Sequence, residues 1–79
     1  MSWTASDFER LDPKLFRGFL AVVRSGSVSE AARIASLTQG AVSQQIARLE
    51  ERLKCQLFVR ANGRILPTDA AQLLAEFAE

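Results

Sequence analysis

Ser27 to Leu53, SVSEAARIASLTQGAVSQQIARLEERL, is the stretch that decides how this chain folds. Two helical periods meet in it across a short interruption. Ser27 followed by Glu30 is a capping box, in which a hydroxyl and a carboxylate each satisfy a free backbone N–H at a helix start. Val28, Ala31, Ala32 and Ala35 then give the first helix a face of small residues, which lets another helix approach closely. Ser36-Leu37-Thr38 interrupts the pattern, and Thr38 is placed to cap a second helix. In that helix Val42, Ile46, Leu49 and Leu53 recur at spacings of four, three and four, forming one apolar stripe. The other face begins with Gln39, Gly40, Ser43 and Gln44 and continues through Ala47 and Arg48. A merely solvated face prefers Glu and Lys. Short, uncharged hydrogen-bonding groups at the N-terminal end suit a helix that enters a DNA major groove, where amides and hydroxyls match base-edge donors and acceptors.

On the N-terminal side, Asp12-Pro13 predicts the start of a helix, with Asp as N-cap and Pro at the first helical position. The helix runs to about Arg24 with Leu15, Phe16, Phe19, Leu20 and Val23 inward, and Gly26 stops it. Residues 1–12 form an extension without a clear period. Trp3 and Phe8 either anchor it to the core or leave it a frayed arm, and Asp7 and Glu9 argue against its tracking DNA. On the C-terminal side, Gln56-Leu57-Phe58-Val59 and Arg64-Ile65-Leu66 read as paired strands around Ala61-Asn62-Gly63, an Asn-Gly turn signal. Arg60 and Arg64 flank the tip of this hairpin, within reach of a sugar-phosphate backbone or a minor groove. Arg60 has a second reading, as the partner of a carboxylate such as Glu50. Pro67-Thr68-Asp69 opens a last helix over residues 68–79, with Thr68 as N-cap and Ala70, Leu73, Leu74 and Phe77 as its apolar stripe.

Seventy-nine residues, 48% of them hydrophobic, suffice for one core and one domain. No apolar run approaches the ~20 residues of a membrane span. The N-terminus has no signal-peptide pattern, so the expected compartment is the cytoplasm. One Cys excludes an internal disulfide, and with no His a structural zinc site is out of reach. Cys55 reads as a small buried apolar group, the alternative being a redox-responsive thiol beside Lys54. The net charge is only +1, but its distribution is uneven. Between Pro13 and Thr68 nine basic residues face three acids, a local +6, and the other acids lie at the two ends. A phosphate-facing centre requires such a basic middle, although an ordinary charged surface has the same look.

The pattern AAxxxxxLTQxAVSQQIxRLEExL, followed by LFxR and PT, resembles the N-terminal winged helix-turn-helix domain of LysR-type transcriptional regulators. The resemblance runs from about Leu15 to about Leu74. Its most specific parts are Gly26-Ser27, Ala31-Ala32, Gln39, Ala41 to Ile46 and Leu49-Glu50. It implies a mainly α fold with a small β-hairpin: a three-helix core in residues 13–67, a wing, and the start of a linker helix in residues 68–79. It further implies double-stranded DNA as partner, no cofactor and no metal. Gln39, Gly40, Ser43 and Gln44 would read bases. Ser27, Ser29, Thr38, Arg48, Arg60 and Arg64 would hold the backbone or serve the wing. Full-length members carry a longer C-terminal ligand-sensing domain and act as dimers or higher oligomers. The bare domain is expected to be a monomer or a weak dimer.

Four positions depart from the family pattern. Gly40 stands where Pro is common, which opens the backbone to close approach and removes an apolar contact to a thymine methyl. Ala35 replaces a usual Leu and thins the core. Lys54 stands where Gly usually ends the second helix, so either Lys54 is left-handed or the helix ends differently. Ala71 replaces another frequent Gly. Two rival functions complete the expectations. A winged helix used to bind a protein partner would be favoured by a neutral recognition face. Catalysis has no His, no paired buried carboxylates, no phosphate loop and no Cys–His pair to rest on.

Overall fold

The computed structural model describes residues 11–78. Three helices lead: α1 (Leu15–Ser25), α2 (Val28–Ala35) and α3 (Gln39–Leu53). An antiparallel hairpin follows, β1 (Phe58–Ala61) and β2 (Arg64–Pro67), and α4 (Asp69–Ala78) closes the chain. This is a winged helix-turn-helix, mainly α with one two-stranded sheet, as expected. Trp3 and Phe8 lie outside the described residues. Leu11, assigned above to the extension, is buried in the core.

The chain enters α1 through a turn rather than by helical residues at Pro13. Leu15 N–H donates to Asp12 O at 2.9 Å, and Asp12 Oδ1 accepts Lys14 N–H at 2.9 Å. Asp at the first and Pro at the second position of a β-turn serve that geometry better than a cap at Asp12. Helix α1 therefore starts two residues later than expected, with no side-chain cap at Lys14. Its buried face is Leu15, Gly18, Phe19, Ala21 and Val22, while Phe16, Leu20 and Val23 are half-buried. The apolar stripe expected for α1 is thus rotated, because α1 packs against α2, α3 and α4 together. Gly26 ends the helix at φ 71° and donates its N–H to Val22 O at 2.8 Å.

Three helices start from a hydroxyl that accepts a backbone N–H three residues on. Ser27 Oγ takes Glu30 N–H at 3.2 Å, Thr38 Oγ1 takes Ala41 N–H at 3.0 Å, and Thr68 Oγ1 takes Ala71 N–H at 3.2 Å. The capping box is only half formed. Ser25 Oγ accepts Ser27 N–H at 3.3 Å, the group Glu30 was to satisfy, and the Glu30 carboxylate turns to Arg33 instead. That hydrogen bond, above all, holds the Glu30 carboxyl below its ordinary range and raises Arg33.

Helix α2 ends with Ser36 left-handed at φ 57°, and Leu37 N–H reaches back to Ala32 O at 2.8 Å. Helix α3 ends likewise at Lys54, φ 54°, with Lys54 N–H on Glu50 O. The left-handed alternative is the one adopted. A residue with a Cβ costs about 1–2 kcal/mol there, and glycine gives back about 0.5–1 kcal/mol as extra freedom in the unfolded chain. Lys54→Gly should therefore stabilise the domain by about 0.5–1 kcal/mol. Urea unfolding checks this, and a lowered midpoint would show that Lys54 contributes a contact the backbone argument omits.

The core is Phe19, Val22, Val42, Leu49, Leu57 and Leu74, all fully buried, surrounded by alanines from α2 and α4. Phe19 meets Phe16 edge-on at 6.5 Å and Phe58 at 5.7 Å. The first strand begins two residues later than expected, and the second begins at Arg64 as expected. Leu57 is drawn into the core before β1, with its N–H on Glu50 Oε2 at 2.8 Å and its carbonyl accepting Thr68 N–H at 2.9 Å. Asn62 and Gly63 form the two-residue turn, at φ 52° and 73°, the positive values a type I′ turn demands. Cys55 packs half-buried against the core, and burial, then the Glu50 charge, push its thiol above the ordinary range. A suppressed thiolate supports the apolar reading over the redox one. In α4, Ala70, Ala71, Leu74 and Ala75 are the buried residues, and Leu73 and Phe77 face outward instead of joining the stripe. Where Ala35 thins the core, an open groove of about 250 Å³ runs between α1 and α2 beside Ala21 and Leu20.

Candidate nucleic-acid interface

Helix α3 is fixed on one side and bare on the other. Val42, Ile46, Leu49 and Leu53 are buried, which leaves Gln39, Gly40, Ser43, Gln44, Ala47 and Arg48 exposed. Successive residues turn by about 100° around a helix. Gly40, Gln44 and Ala47 therefore form the centre of the outward arc, Gln39 and Ser43 lie on one flank of it, and Arg48 on the other. Gln39 to Arg48 spans about 14 Å at ~1.5 Å per residue, close to the ~12 Å width of a major groove. Among the described residues the side chains of Gln39, Ser43, Gln44 and Arg48 have no hydrogen-bond or ion-pair partner. The structure brings these four together.

Gly40 lies in the middle of that surface. A Cβ built on it meets nothing nearer than Thr38 Oγ1 at 4.0 Å. Internal packing does not call for glycine here, and its effect is to leave helix backbone bare at the centre of the exposed face.

The hydroxyls expected at the backbone of a nucleic acid are partly occupied. Ser27 Oγ and Thr38 Oγ1 accept helix-start N–H groups, and Ser27 Oγ lies 3.0 Å from Ser29 Oγ. Thr38 accepts at its oxygen and still has a proton to donate, and the Ser27–Ser29 pair has one such proton left between its two hydroxyls. Thr38 and Ser29 are exposed and Ser27 is half-buried.

The hairpin separates its two arginines. In the observed register Arg60 pairs with Ile65 and Arg64 with Ala61. Since side chains alternate along a strand, Arg60 shares the face of Phe58, Ile65 and Pro67, which rests on the domain. Arg64 shares the opposite, outer face with Val59 and Leu66. Both are exposed and flank the turn, but from different sides. The Glu50 carboxylate accepts Leu57 N–H, and among the described residues no Arg60–Glu50 pair is made.

Two contacts near this surface escaped sequence reasoning. Arg17 Nη2 donates to Ala35 O at 2.9 Å, closing the end of α2. Gln45 Oε1 accepts Gly18 N–H at 3.1 Å, linking α3 to α1. Partners 18 and 27 residues apart leave no local pattern. Among the described residues no group of three His, Cys, Asp or Glu is placed to hold a metal ion, and no helix is long and apolar enough to cross a membrane.

The family described as bacterial regulatory helix-turn-helix protein, lysR family, matches residues 13–72. The chain belongs to the LysR family. Among characterised relatives, the LysR-family chain is 45% identical over 58 residues to the HTH-type transcriptional activator AmpR of Rhodobacter capsulatus, covering 73% of this chain and 20% of that protein. It is 41% identical over 56 residues to the nitrogen assimilation regulatory protein nac of Escherichia coli strain K12, covering 71% and 18%. The chain thus spans about a fifth of the length of these two relatives. Among solved structures, the BenM_DBD/benA site 1 DNA complex aligns with a TM-score of 0.78 at 31% identity, over 86% of this chain and 76% of that one.

Proposed function

We propose that this chain binds double-stranded DNA sequence-specifically, as the DNA-binding domain of a LysR-type transcriptional regulator acting in the cytoplasm. One observation carries the proposal. The N-terminal half of α3 exposes Gln39, Ser43 and Gln44 around a bare Gly40 backbone, while its other face is locked in the core. Amides bind adenine edges bidentately, hydroxyls bind either base type, and a missing side chain permits close approach. In this reading α3 lies in the major groove with Gln39, Gly40, Ser43 and Gln44 at the base edges. Thr38 and the paired Ser27 and Ser29 hydroxyls hold phosphates, Arg48 holds the backbone beside the groove, and Arg60 and Arg64 serve the wing. The LysR relative solved as a DNA complex supports it.

Selection of bound sequences from a random duplex pool tests the proposal. One enriched motif is the expected result. A pool that stays random would reassign the domain to protein binding.

Arg64, on the outer face next to the turn, should act on phosphate alone. Arg64→Ala is expected to weaken all duplexes about equally and to make the log affinity–log salt plot shallower by about one unit, since one contact releases about one counterion. A loss confined to the preferred sequence would make Arg64 a base reader.

Residues 13–67 form the binding unit in this reading, and residues 68–79 begin a linker helix that pairs in a full-length dimer or higher oligomer. Leu74 is spent inside the domain, so among the described residues Leu73 and Phe77 are the large apolar side chains turned outward on α4. Two such residues bury far less than the ~800 Å² per partner of a stable interface. The bare domain is therefore expected to sediment as a monomer or weak dimer at micromolar concentration. A stable dimer there would contradict this.

A further inference from the structure

We infer that Gln45 is a positioning residue, which holds α3 at a fixed rotation against α1 through its bond to the Gly18 backbone and thereby sets the base preference of its neighbours. The inference rests on the DNA-binding reading above. Gln45 sits between Gln44, on the outward arc, and Ile46, in the core, and is itself half-buried. Its Oε1 accepts Gly18 N–H at 3.1 Å, an amide belonging to the first turn of α1. Val42 of α3 also lies against Gly18 of α1, and hydrophobic contact has no direction. It resists separation of two helices but tolerates a small roll or slide. A hydrogen bond to backbone does not, because its geometry fails with misalignment.

The approach is as close as it is because residue 18 has no side chain. A Cβ there would stand 2.7 Å from Gln45 Oε1, 3.3 Å from Val42 Cγ1 and 3.4 Å from Val42 Cα. Gly18 and Gln45 are thus two halves of one contact. Gln44 is the residue that gains by it. A bidentate amide contact requires placement within about 0.5 Å and 10–20°, and a roll of α3 moves the Gln44 amide out of that range first. Phosphate contacts, longer and more permissive, are affected less.

Two variants separate this role from a merely structural one. Gln45→Met keeps length and bulk and removes the amide acceptor. Gln45→Glu keeps an oxygen at the same reach. Affinities for the selected sequence and for random duplex are measured alongside the melting temperature. For Gln45→Met the ratio of specific to random affinity should fall about tenfold, the size of one lost base-pair preference, while affinity for random DNA stays within about twofold. Gln45→Glu should retain the wild-type preference. A Gln45→Met variant that melts lower but keeps the ratio overturns the inference, as does an equal loss of ratio in both variants. Should Gln45→Met not fold, Gly18→Ala displaces the same oxygen and is judged by the same ratio. A wild-type domain with no preferred sequence defeats the DNA-binding reading itself. A wild-type motif carried unchanged by Gln45→Met defeats only the role of Gln45.

Discussion

Phe19→Ala should cost the domain most of its folding stability. Phe19 is fully buried, touches aromatic rings on both its own helix and β1, and lies where α1 meets the rest of the core. Removing such a ring costs about 3–5 kcal/mol, part lost transfer energy and part cavity. A domain this small has about 5 kcal/mol or little more in total. Far-UV circular dichroism against urea measures the outcome. A variant that loses less than about 1 kcal/mol would mean that Phe16 swings in to replace the ring.

Gln44→Ala should relax preference at about one base pair by roughly 1–3 kcal/mol, more than Gln39→Ala does. The order follows from the wheel of α3, since Gln44 stands at the centre of the outward arc and Gln39 on its flank. Both amides lack a partner among the described residues, so their truncation should not disturb the fold. Repeating the duplex selection with each variant gives the comparison. An unchanged Gln44→Ala profile would take that residue out of the interface, and a larger effect at Gln39 would mean that α3 enters the groove by its tip.

How much of this was legible in the sequence depends on how far apart the partners are. Ser27, Thr38 and Thr68 act on amides three residues away, and each was visible as a hydroxyl before a helical period. The Asn62-Gly63 turn and the stripe from Val42 to Leu53 are equally local. Failures begin where two local rules compete. Asp12-Pro13 fits both a helix start and a β-turn, and the turn won because Leu15 N–H finds Asp12 O. Glu30 was offered both the Ser27 amide and the Arg33 guanidinium, and took the charged partner. Leu73 and Phe77 obey the period of α4 as well as Ala71 and Ala75 do, and only the position of α1 decides which set is buried.

The exposed residues at the N-terminal end of α3, Gln39 to Gln44, were legible as a class, being uncharged on a face that solvent alone would have filled with charge. The opposite facing of Arg60 and Arg64 depended on strand register. The Gln45–Gly18 and Glu50–Leu57 contacts depended on helices and loops arriving from elsewhere.

Thr68 has a mechanical consequence. Its N–H is held by Leu57 O, its hydroxyl proton by Gln56 O at 2.8 Å, and its oxygen holds the first turn of α4. The pivot at which the last helix would swing is thus riveted to the strut that carries the wing. Flexing at residues 67–68 must break the bonds to Leu57 and Gln56 together, each worth about 1 kcal/mol net. Hairpin and terminal helix therefore turn as one stiff bracket, and a load applied along α4 is delivered to the wing without slack.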